Sequence, residues 1–122
     1  MAMRTRGEVE AEFTKSIIKL EKEFLGRGPL EARTFLVNDM VLVRLRGVLT
    51  PAEEKLAETM EGKNLVKESR RQLFETSRPF LEEMARTILS CNVISMHSDI
   101  STKTNERVVV LTVDTNLEER FR

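Results

Sequence analysis

Apolar residues recur at helical spacing early in the chain. Val9, Phe13, Ile17, Leu20 and Phe24 are separated by four, four, three and four positions, which lines one side of an amphipathic helix over about residues 5–25. Acidic residues crowd its start (Glu8, Glu10, Glu12) and lysines its later half (Lys15, Lys19, Lys22), the order a helix dipole favours. Gly26-Arg27-Gly28-Pro29 stops it, glycine supplying unusual backbone angles and proline forbidding continuation. The period then shortens. Residues 33–37 and 40–48 are β-branched and aliphatic runs split by Asn38-Asp39, two residues tolerant of positive φ, so a tight hairpin is predicted. In that register Val37 faces Met40, Phe35 faces Leu42 and Arg33 faces Arg44, all on one face.

Thr50-Pro51-Ala52-Glu53 has the order of a helix start: a capping Thr, Pro at the first helical position, and Glu three residues after the cap. That helix should run to about Met60, where Glu61-Gly62-Lys63-Asn64 weakens it. A longer helix is predicted over about residues 63–89, with Val66, Leu73, Phe80 or Leu81, Met84 and Ile88 near one stripe. Ser77-Arg78-Pro79 should kink or break it, and Asn92 suits a left-handed cap. Ile94, Met96 and Ile100 then alternate with Ser95, His97, Asp99 and Ser101, as in a strand with one wet face. Lys103-Thr104-Asn105-Glu106 turns the chain, residues 107–113 return, and the short charged tail 115–122 is expected to fray. The order α-β-β-α-β-β predicts an α+β fold. Its simplest packing is a two-layer sandwich, a four-stranded, mostly antiparallel sheet with helices on one face.

A length of 122 residues suits one domain, with a core over about residues 7–114. The 20 Lys+Arg balance 20 Asp+Glu, which argues against a mainly electrostatic binder of nucleic acid or acidic membrane. One cysteine, Cys91, makes no internal disulfide, so a reducing cytoplasm is the expected home. Met1 to Gly7 carries basic residues with no apolar stretch behind them, unlike a signal peptide. The longest apolar run, Val108 to Leu111, falls far short of the roughly 20 residues that span a bilayer.

Candidate chemistry is sparse. His97 and Asp99 lie two apart on a strand, Cα atoms roughly 7 Å from each other, where a carboxylate can orient an imidazole; the plainer reading is a solvated strand face. Ser101, Thr102 and Thr104 surround Lys103 at a hairpin tip and would suit phosphate or carboxylate, or simply form a polar turn. Arg27 in its Gly-rich loop can face an anion or merely end a helix. Arg33, Arg44 and Arg46 share one hairpin face, with Glu31 opposite Arg46, and are basic enough for an acidic partner or a phosphate. Without Trp or Tyr, base-stacking platforms are not evident. Cys91 reads as a small buried hydrophobe. With one His and no cysteine pair, neither a metal set nor a catalytic constellation is recognisable, so no cofactor and no enzyme is expected.

Several blocks in order carry a family resemblance: Glu23-Phe24-Leu25-Gly26-Arg27-Gly28-Pro29; Met40 through Arg46, Gly47-Val48-Leu49-Thr50-Pro51-Ala52-Glu53; Ser77-Arg78-Pro79; and His97-Ser98-Asp99-Ile100-Ser101-Thr102-Lys103-Thr104. Together they resemble the bacterial MpsC family, named for a sodium-translocating membrane-potential-generating system and formerly a domain of unknown function. The resemblance spans about residues 7–114 and implies a soluble accessory or regulatory subunit, with membrane-bound proteins of that system as partners. It would sit in the cytoplasm, or at the inner face of the membrane through such a partner. It also raises the standing of Arg27, Arg44, His97, Asp99 and Lys103. One departure is Asn105, where the turn would be expected to hold glycine. Residue chemistry alone leaves two other readings: a small anion- or nucleotide-binding module on the basic hairpin, and, less favoured, an RNA-binding module. Joining of two copies at an exposed sheet edge also stays open.

Overall fold

The computed structural model describes residues 4–122. Residues 1–3, part of the stretch compared with a signal peptide, lie outside them. Helix α1 (Arg6–Leu25) is capped by the Thr5 hydroxyl, which accepts from the Glu8 amide, and ends at Gly26 with φ 79° and its N–H on the Lys22 carbonyl. The hairpin follows as β1 (Glu31–Val37) and β2 (Met40–Arg46). Its register is the one the two-residue loop implies, Val37 opposite Met40 through Glu31 opposite Arg46, and Asn38 takes the positive φ.

Helix α2 (Pro51–Leu56) begins with the full capping box, the Thr50 hydroxyl on the Glu53 amide and the Glu53 carboxylate on the Thr50 amide. It ends sooner than its sequence suggests. The chain turns at Ala57-Glu58-Thr59, and Thr59 caps a new helix, α3 (Met60–Thr76), by accepting from the Gly62 amide. Gly62 therefore lies inside a helix, where a Cβ would come within 1.7 Å of the Leu56 carbonyl oxygen. The joint needs a residue without a side chain, which is why a sequence that looks like a helix ending begins one instead. As the proline predicts, the next helix is separate: α4 (Arg78–Met84) follows Ser77 and continues into a π-helical turn, Ala85–Leu89. Ser90, not Asn92, takes the left-handed conformation there, at φ 55°. Asn92 instead donates from its backbone and side-chain amides to the Asp114 carboxylate.

Strands β3 (Val93–Ser101) and β4 (Glu106–Val113) complete an antiparallel sheet of order β1-β2-β4-β3. A register shift between Val93 and Ser95 turns Ile94 outward, 61% exposed, so it does not join Met96 and Ile100 on the inner face. The tail does not fray. Leu117–Arg120 forms α5, and Leu117 and Phe121 are buried.

The fold is thus the α+β sandwich, with helices on one side of the sheet and, among the described residues, none on the other. Val41, Val43 and Leu45 of β2 and Val109, Leu111 and Val113 of β4 meet Val9, Phe13 and Ile17 of α1 and Leu81, Ala85 and Leu89 beyond α3 in one core. Alternation along the strands sends the remaining side chains to the uncovered face. Among the described residues no helix is long and apolar enough to cross a membrane.

Candidate functional site

Strand register orders the uncovered face into rows. Phe35, Leu42, Val110 and His97 form one; Val37, Met40, Thr112 and Ser95 the next; Arg33, Arg44, Val108 and Asp99 another; Glu31, Arg46, Glu106 and Ser101 the last. The centre is therefore apolar and half-buried, with no helix of the described residues upon it, and one corner is basic. There Glu31, Arg33, Phe35, Arg44 and Arg46 line a hollow of about 150 Å³. Arg33 lies over the Phe35 ring at 5.0 Å. Arg44 bonds Glu106 at 3.0 Å, and that hydrogen bond holds the Glu106 carboxyl below its ordinary range. Among the described residues neither Arg33 nor Arg46 forms an ion pair.

The other sequence candidates scatter. His97 stands exposed opposite Val110. Asp99 does not orient it: its Oδ1 accepts from the Ile100 amide at 2.8 Å and lies 3.7 Å from Lys67 Nζ, around the free edge of β3. Ser101 Oγ accepts from the Thr104 amide, which makes the hydroxyl-rich tip a self-bonded turn with Lys103 exposed at its end. Arg27 sits in the loop after α1, apart from the Arg33 hollow. Among the described residues no three His, Cys, Asp or Glu cluster as metal ligands. Cys91 is buried, and burial together with the Asp114 charge pushes its thiol up to about 11, unlike a nucleophile.

The most concentrated polar chemistry lies on the helical side, in residues the hydrophobic pattern passes over. Arg70 is 3% exposed, Arg107 7% and Glu21 8%. Arg70 donates from Nε and Nη2 to the two Glu53 oxygens at 2.8 and 2.6 Å, and from Nη2 to the Val48 carbonyl at 2.6 Å. Its Nη1, enclosed and without a hydrogen bond, lies 3.9 Å from Glu21 Oε2. Arg107 donates from Nη1 to Glu21 at 2.5 Å and from Nε to Ser98 Oγ at 3.1 Å, with its guanidinium 5.1 Å from the centre of the Phe74 ring. Burial and the nearby Arg70 charge lower its pKa, and Glu21 opposes them. Two cations and two carboxylates thus link α1, the start of α2, α3 and β4. The available signal was a charge at a core position: Glu21 falls four after Ile17, Arg70 four after Val66 and four before Phe74, and Arg107 two before Val109.

The family model described as Na+-translocating membrane potential-generating system (MpsC) matches residues 5–115, from the cap of α1 to just beyond β4. Two proteins of Bacillus subtilis (strain 168) are similar over almost their whole length. The uncharacterized protein YbcI is 37% identical over 118 residues, covering 97% of this chain and 95% of its own. The uncharacterized protein YrhF is 32% identical over 111 residues, covering 89% and 90%. No solved structure matches. A match of this extent, running through every strand and the four larger helices, shows that the chain belongs to the MpsC family.

Proposed function

We propose that this protein is an accessory subunit of a sodium-translocating, membrane-potential-generating system, held at the cytoplasmic side of the membrane by a membrane-bound partner and working by contact rather than catalysis. The observation that carries the proposal is the uncovered sheet face, where the Phe35–Leu42–Val110 row adjoins the Arg33, Arg44 and Arg46 corner. Sheets bury their apolar faces against another layer, and interface cores combine apolar residues with arginine. The partner surface that fits is apolar with an acidic border. The family description supports a membrane system as the setting, and in this reading ion passage belongs to other subunits.

The test is fractionation of the full chain expressed in its own cells. Wild type is expected to sediment in part with membranes and to come off with a protein partner after mild crosslinking. The double substitution Leu42→Glu with Arg46→Glu should move it to the supernatant while its circular dichroism stays unchanged. A wild type absent from the membrane fraction, or a variant retained there, overturns the proposal.

A second reading, a small anion held in the Arg33, Arg44 and Arg46 hollow, is favoured by one fact: only Arg44 of the three is ion-paired among the described residues.

A further inference from the structure

The helical side carries a second, larger opening. Between α3 and the edge strand β3 is a cleft of about 260 Å³, whose walls include Lys67, Arg71 and Phe74 from the helix and Ser98, Asp99 and Arg107 from the sheet. Its charge is uneven. Lys67, Arg70, Arg71 and Arg107 line it against Glu68 and Asp99, four cations to two carboxylates, while Glu21 and Glu53 lie behind the two buried arginines.

Arg107 is the pre-set group. Glu21 takes Nη1, Ser98 takes Nε, and the Phe74 ring supports the guanidinium plane. Among the described residues Nη2 has no hydrogen-bond acceptor. A guanidinium fixed in this way has lost its rotamer freedom before any ligand arrives, so binding costs less entropy, and its fork suits the oxygens of carboxylate and phosphate. Lys67 and Arg71 are four residues apart on α3 and share one side of it. Arg71 is engaged by Glu68 at 2.7 Å, a pairing that with Gln72 brings the Glu68 carboxyl down to about 2. Among the described residues Lys67 pairs only with Asp99, at 3.7 Å, with the Asp99 side chain 84% exposed. Such a contact contributes little and yields to a better acceptor.

We infer that this cleft binds a small oxyanion, a phosphate or a carboxylate borne on a compact ligand. Arg107, 7% exposed as a residue, presents Nη2 as the anchor, Lys67 closes on it from the mouth, and Asp99 is the built-in anion that the ligand displaces from Lys67. Phe74 and Ile100 offer the ligand body an apolar wall. The volume lies below the usual range of about 300–1,000 Å³ for drug-sized ligands, which favours a small metabolite.

The full-length protein is titrated with sodium phosphate and with sodium citrate, each against sodium chloride at equal ionic strength, and melting temperature and binding heat are followed. At least one probe is expected to raise the melting temperature with dose, as any ligand of the folded state does. Phosphate alone assigns a tetrahedral oxyanion; citrate alone assigns carboxylate. Lys67→Glu, on the exposed side of α3, should weaken binding by roughly tenfold or more through charge reversal. Asp99→Asn, which keeps the acceptor for the Ile100 amide but removes the competing charge, should tighten it. Arg46→Glu, on the opposite face, should leave it unchanged. No stabilisation of wild type beyond the chloride control, or equal binding by Lys67→Glu, overturns the inference. Loss of binding in Arg46→Glu also overturns it and moves the site to the hairpin hollow.

Discussion

Arg70 holds a position that helix periodicity gives to an apolar residue, and its surroundings explain why it is tolerated. A buried ion pair gains little over an apolar replacement of equal shape, but removing one member strands the other in a low dielectric. Arg70→Ala would leave Glu53 and Glu21 both facing the gap, and should lower stability by about 3–5 kcal/mol in a denaturant titration. A loss below about 1 kcal/mol, the size of an exposed pair, would show the cluster to be dispensable. The effect depends on pH. Burial pushes the Glu53 carboxyl up, but hydrogen bonds from Arg70 and Thr50 outweigh it and set the pKa below the ordinary 4.5. A depressed carboxyl contributes its full stability above the unfolded value and loses it as pH falls through the folded one. The gap between wild type and Arg70→Ala should therefore narrow as pH drops below 4.5, and a gap constant into acid would contradict the assignment. This chemistry was hard to read from the sequence because a search for apolar periodicity skips charges. A lone Arg between Val66 and Phe74 looks like a gap in a stripe; only three elements meeting at it show a buried cluster.

At the scale of elements, what could be read was whatever local rules determine. The Asn38-Asp39 loop length dictated the hairpin register, Thr50 to Glu53 dictated a cap, and Pro79 dictated a break. What could not be read depends on contact between elements. Gly62 lies against the Leu56 carbonyl, the shift beside Ile94 depends on β4, and Asn105 does more than occupy a glycine position. With φ 55°, Asn105 also accepts from the Leu49 amide through Oδ1 at 2.8 Å, tying the β3–β4 turn to the approach to α2. The α2–α3 joint gives the sharpest test. Alanine is the better helix former by about 1 kcal/mol, yet Gly62→Ala must open the joint to admit its methyl group. It should lower stability by about 1–3 kcal/mol, the cost of overpacking. A rise in melting temperature would mean that the two helices do not pack as described.

For the whole molecule, the two layers are closed at one end by the tail. The Leu117 amide bonds the Asn38 carbonyl at 2.7 Å, Glu118 accepts from the Asn38 amide at 2.8 Å, and Arg120 reaches the carbonyls of Leu89 and Ser90. Residues 117–122 lie beyond the family match, and their charge hid two anchors, Leu117 and Phe121. Burying such side chains contributes about 1.5–3 kcal/mol each. Deleting residues 117–122 should therefore cost several kcal/mol, read as a marked fall in the thermal midpoint. An unchanged midpoint would restore the expectation of a frayed end.

The carboxylate of Glu10, on α1, has a further consequence. It accepts from the Leu36 amide at 2.9 Å on the free side of β1, as Asp99 Oδ1 accepts from Ile100 at 2.8 Å on the free side of β3. Strand addition requires outward amides to be available. At both margins an anion already occupies one, so an edge-joined pair of copies whose ladder runs through Leu36 or Ile100 must first expel a charge from its hydrogen bond. The molecule can thus expose a greasy face to a partner while resisting the runaway ribbon growth that such faces otherwise invite.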